Sequence, residues 1–126
     1  MADYLGVNES TPSARISTRV LRGLEPLARR SRAACERGRA VFATWITERS
    51  DLDVVPPAGG IVTFVRIRSG ARSREVASHL ARRYDTLVTP GDFFECPGFL
   101  RIGLGLPPGP LEEALARLGR ALDELS

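Results

Sequence analysis

Arg101 is the residue best placed to do chemistry. It lies in Pro97-Gly98-Phe99-Leu100-Arg101-Ile102-Gly103-Leu104-Gly105-Leu106, where an extended chain sends alternate side chains to opposite faces. Leu100, Ile102, Leu104 and Leu106 then make an apolar face that belongs to a core. Phe99, Arg101, Gly103 and Gly105 make the other, so the arginine stands over glycines along its own strand. A planar guanidinium on a rigid strand suits two parallel hydrogen bonds to a carboxylate or phosphate. A structural alternative is an ion pair with Asp92 or Glu95 from the preceding loop. All 18 basic residues are Arg, and the chain has no Lys.

Other reactive side chains offer less. Cys35 falls among small residues on a helix and Cys96 beside Pro97, which reads as two free thiols. There is no CxxC and no Cys/His pairing, so no metal site is assigned. The lone His79 falls on the solvent side of a helix, and no Ser/His/Asp set is present. No residue is assigned a catalytic role.

The elements that must carry Arg101 follow from punctuation and periodicity. Pro12 starts a first helix after Thr11 as N-cap, running to about Leu21. Gly23 and Pro26 interrupt it, and a second helix continues to about Arg49. Its apolar stripe passes through Ile16, Val20, Leu24 and Leu27 to Ala34, Cys35, Gly38, Val41, Phe42, Trp45 and Ile46. Small residues in the middle allow a close neighbour, while Phe42 and Trp45 fill a core. Leu52–Val55 is a short strand, and Gly59-Gly60 ends a rigid-then-flexible turn where a ligand can approach backbone. Ile61–Ile67 is the strongest strand, with Arg66 and Arg68 sharing one face. Residues 74–84 form a helix with Val76, Ala77, Leu80, Ala81 and Tyr84 inward. Residues 86–89 form a strand that stops at Pro90-Gly91, with Phe93-Phe94 packing beneath that turn. Gly109-Pro110 opens a final helix with Leu111, Leu115, Leu118, Leu122 and Leu125 on its core face. The order α-α-β-β-α-β-β-α predicts an α+β architecture: a small mixed sheet with helices on one face, preceded by a long helix. Residues 1–50 read as lead-in and long helices, and 51–126 as the small α/β unit.

In order and spacing, Val54-Val55-Pro56-Pro57-Ala58-Gly59-Gly60-Ile61-Val62-Thr63-Phe64, Val88-Thr89-Pro90-Gly91-Asp92-Phe93-Phe94, the Arg101 strand and the leucine helix resemble the C-terminal small domain of class I/II aminotransferases. These are fold-type I enzymes that use pyridoxal 5'-phosphate, and the resemblance covers nearly the whole chain. It implies that Arg101 binds the substrate α-carboxylate, that Gly59 and Gly60 lie at the substrate pocket, and that Pro90 and Gly91 belong to a pocket loop. It also implies amino-group transfer between an amino acid and a 2-oxo acid. The family's Schiff-base lysine lies in a preceding larger domain, so a lysine-free chain reads as truncated and inactive alone. It would need a cofactor-binding large domain or second subunit. The alternative is a stand-alone remnant acting as a protein-interaction module.

Composition narrows the remaining classes. The formal net charge is +3, and eight arginines lie between residues 15 and 39. They spread around their helix without interleaved aromatics, which argues for a solvated face rather than a nucleic-acid surface. An all-arginine basic set reflects coding bias. No apolar run reaches membrane-spanning length and no signal-peptide layout opens the chain, so a cytoplasmic protein is expected. The uncovered stripe Ile16, Val20, Leu24 and Leu27 predicts self-association or a homo-oligomer.

Overall fold

The structure is a computed structural model that describes residues 10–125. It has two units, residues 1–33 and 34–126. The first contains helix α1 (Thr11–Arg22) and the opening turns of α2 (Leu24–Thr47). Ser10, rather than Thr11, is the N-cap of α1, and Gly23 ends the helix with its amide hydrogen-bonded to Val20 O. Pro26 falls in the first turn of α2, where no intrahelical amide bond is required. α1 has no buried residue, and Ile16, Val20, Leu21, Leu24 and Leu27 are exposed.

The second unit holds the rest of α2, followed by strands β1 (Leu52–Val54) and β2 (Val62–Ile67) and helix α3 (Ser73–Tyr84). Strand β3 (Thr89–Pro90), a 3-10 turn over Gly91–Phe94, strand β4 (Phe99–Gly103) and helix α4 (Pro108–Asp123) complete it. The four strands form one sheet in the order β1-β2-β4-β3. The α+β class and the helices on one face are as the pattern predicts. The sheet differs from the expected mixed one, because every pairing is antiparallel. The α3 crossover returns the chain to the far edge as β3, and the turn then reverses it into β4 between β3 and β2.

Burial follows the two-residue period. Thr63, Val65 and Ile67 of β2 and Leu100 and Ile102 of β4 are buried on one face, with Leu52 and Leu104. Phe42 of α2, Val76 and Leu80 of α3, and Leu111, Leu115, Leu118 and Leu122 of α4 close over them. The small middle of α2 has a direct consequence. A Cβ added to Gly38 would stand 2.0 Å from the carbonyl oxygen of Leu104, so only glycine admits that helix–strand approach. Leu106 departs from expectation: β4 ends at Gly103, the chain leaves the sheet, and Leu106 is half exposed. His79 also differs, being partly buried with its Nε2 2.5 Å from Glu124 of the segment after α4.

Candidate functional site

The helix-free face of the sheet carries Arg101, as the alternation predicts, but the surface around it is aromatic rather than bare. Register explains why. Phe64 pairs directly with Arg101, and Arg66 pairs with Phe99, so these four side chains share one face in a two-by-two block. Phe64 and Phe99 occupy one diagonal and stack with centroids 5.2 Å apart and an interplanar angle of 13°. Arg66 and Arg101 occupy the other. Phe94 reaches in from the turn, meeting Phe64 edge-on at 6.0 Å. The sequence pattern places Arg101 and Phe99 here but not Phe64, and it expects Phe93 and Phe94 to pack beneath the turn, whereas both are exposed. The alternation puts Phe64 and Arg66 on one face of β2, yet only the pairing register brings that face beside Arg101.

The two arginines are in different electrostatic states. Arg66 donates from Nη2 to Asp53 Oδ2 at 2.7 Å, and that hydrogen bond holds the Asp53 carboxyl below the usual carboxylate range, helped by Arg68. Arg101 makes no ion pair among the described residues, and its guanidinium lies 5.7 Å from the Phe94 ring centroid. The two acids considered as its partners are occupied or turned elsewhere. Asp92 accepts the Ser73 hydroxyl and pairs with Arg74 at 3.2 Å, and the Ser73 hydrogen bond keeps its carboxyl below the ordinary range. Glu95 is exposed at the left-handed end of the turn, φ 58°. An exposed guanidinium with its charge unneutralised on a rigid strand can take a carboxylate or phosphate.

The other positions drawn from the sequence fall in two settings. Gly59 and Gly60 are exposed, with open space where side chains would project; Gly60 has φ 76° and its carbonyl accepts Arg39 Nη1 at 3.3 Å. Pro90 and Gly91 are both buried. A Cβ on Gly91 would lie 2.3 Å from Cys96 O and 2.8 Å from Phe99 Cβ, so this glycine closes the turn onto β4. The turn therefore shapes the approach to the Arg101 face and presents Phe94 to it.

Comparison with known proteins identifies the family. The chain matches aminotransferase class I and II over residues 3–118, and it belongs to that family. It is 30% identical over 98 residues to a probable aspartate/prephenate aminotransferase of Aquifex aeolicus, covering 75% of this chain and 25% of that protein. A PLP-dependent aminotransferase from Streptococcus suis superposes with a TM-score of 0.87 at 22% identity, over 99% of this chain and 33% of that one. An aromatic aminotransferase from Pyrococcus horikoshii gives a TM-score of 0.66 at 28% identity, over 84% of this chain and 28% of that one. The chain thus spans a quarter to a third of the length of these relatives.

The family implies pyridoxal phosphate. The residues present do not make a site for it: the sequence has no lysine to condense with its aldehyde, and the carboxylate on the open face, Asp53, is engaged by Arg66. Among the described residues no helix is long and apolar enough to cross a membrane.

Proposed function

We propose that this chain serves as the small domain of a pyridoxal-phosphate-dependent aminotransferase, with Arg101 holding the α-carboxylate of an amino acid or 2-oxo acid during amino-group transfer. The observation that carries this reading is the unneutralised guanidinium on the helix-free face of β4, in a chain of the aminotransferase family. The residues drawn from the family resemblance take graded parts. Gly59 and Gly60 leave the backbone accessible at the sheet's end, and Pro90 and Gly91 form the buried base of the turn that borders the face. Residues 51–126 supply the clamp, and residues 1–50 supply the connection to a larger domain.

Cofactor and proton transfer belong, in this reading, to a lysine-bearing large domain or second subunit. The chain's own contribution is to bind and orient the carboxylate end of the substrate, which lowers the entropic part of the barrier. The experiment is to mix PLP with this chain, reduce with borohydride and map the peptides, alone and with a candidate large domain. Alone, the only primary amine is the α-amino group of Met1, so no other stoichiometric adduct forms; with the large domain, amino transfer appears. A stoichiometric adduct elsewhere in this chain, or no amino transfer with any matching large domain, would contradict the proposal.

The exposed Ile16, Val20, Leu21, Leu24 and Leu27 favour a second, compatible reading in which residues 10–33 dock on a partner protein or another copy. Light scattering should then show self-association, and a monomer at high concentration would count against it.

A further inference from the structure

Two successive phenylalanines in the 3-10 turn each face an arginine. Phe93 lies under Arg74, 5.3 Å from its guanidinium carbon, and Phe94 lies under Arg101 at 5.7 Å. Both separations fall within cation–π range. Phe94 is 48% exposed, so core burial does not account for its place. Its direction is set by a turn fixed on both sides. Asp92 is tied to Ser73 and Arg74 of α3. The Cys96 amide bonds Gly91 O at 3.0 Å, and the Gly91 backbone closes against Phe99 of β4. Phe64, the cross-strand partner of Arg101, braces the Phe94 ring edge-on. An arginine on an open face otherwise retains several rotatable bonds, and freezing them on binding weakens affinity.

We propose that Phe94 is a positioning residue: its ring holds the Arg101 guanidinium in the orientation that receives a carboxylate. This rests on the reading of Arg101 as the carboxylate clamp. The role of the Pro90-Gly91 turn is then to aim an aromatic ring at the clamp.

The test uses this 126-residue chain and acetate as the probe. Nitrogen-15 relaxation of the Arg101 Nε–H, assigned by its disappearance in Arg101→Lys, reports guanidinium order. An acetate titration at constant ionic strength, read on the same signal, reports affinity. Phe94→Met keeps apolar volume without the ring, Phe94→Trp keeps a ring, and Phe93→Leu is the control on the neighbouring pair. Phe94→Met should lower the Arg101 order parameter and weaken acetate about two- to fivefold, the span of an exposed cation–π contact. Phe94→Trp should preserve both, and Phe93→Leu should change neither. Unchanged order and affinity in Phe94→Met would overturn the proposal while leaving the carboxylate reading intact. If acetate never perturbs Arg101 but its order still falls in Phe94→Met, the positioning role stands and the carboxylate reading fails. Should Phe94→Met not fold, loss of Arg101 order in folded Phe94→Trp would count against the proposal and its retention for it.

Discussion

The two faces of the central sheet are built from the same strands to opposite ends. On one, Val65, Ile67, Leu100 and Ile102 are sealed beneath α2, α3 and α4. On the other, Phe64, Phe99, Arg66 and Arg101 interlock in a checkered block that no helix of the compact unit covers. The buried face gains its stability by removing aliphatic area from water, and any well-shaped apolar side chain contributes. The open face gains less: Phe64 and Phe99 are only partly buried in their stack, and Arg101 is exposed without an ion pair among the described residues. In the proposed function that face binds the substrate carboxylate, so the two-residue alternation of the strands separates stability from function.

The comparison breaks most visibly at Leu100, fully buried between Phe99 and Arg101. Leu100→Ala should cost about 2–5 kcal/mol of unfolding free energy, the range for truncating a buried leucine, measured by denaturant titration. Carboxylate binding by the molecules that remain folded should be unchanged. Gly91→Ala tests the turn that joins the faces. Its new Cβ would meet Cys96 O and Phe99 Cβ at 2.3 and 2.8 Å, so about 1–3 kcal/mol should be lost to backbone displacement. Unlike Leu100→Ala, it should also disturb Phe94 and therefore Arg101.

Smaller effects sharpen the contrast. Thr63 faces the core with its hydroxyl buried and without a hydrogen-bond partner among the described residues. Thr63→Val should raise stability by about 1 kcal/mol, since an orphaned buried hydroxyl is replaced by a methyl. The helical layer also has an acid-sensitive clamp. Tyr84 donates to Glu124 Oε1 at 2.7 Å and His79 contacts Oε2, which together hold the Glu124 carboxyl below its ordinary value of 4.5. A depressed carboxyl contributes stability above that ordinary value and loses it as pH falls through the lower folded one. Thermal unfolding should therefore show a decline below about pH 4.5 that is reduced in Glu124→Gln.

Much of this was legible because local rules dominate where burial is one-sided. The leucine spacing of α4, the alternation of β4 and the small-residue stretch of α2 each find their counterpart, down to Gly38 against Leu104. Other features depended on contacts between distant segments. Phe64 becomes a neighbour of Arg101 only through strand register, and Phe94 only through a turn pinned by Asp92 to α3. Leu106 continued the leucine alternation but lies beyond the last paired residue, where periodicity no longer has a sheet to obey. His79 looked solvent-facing on its own helix until α4 delivered Glu124 beside it.

The most direct measurement of the central claim is Arg101→Ala, followed by unfolding free energy in this chain and carboxylate affinity in its reconstitution with a lysine-bearing large domain. The unfolding midpoint should stay close to that of the unmodified protein, because the side chain lies outside the core. Carboxylate binding should lose about 2–5 kcal/mol, the range for truncating one partner of a buried charge pair. Arg101→Lys should recover only part of it, having the charge without the two-pronged geometry. Unchanged affinity together with a collapse of folding stability would make Arg101 a structural residue and contradict the division of labour between the two faces.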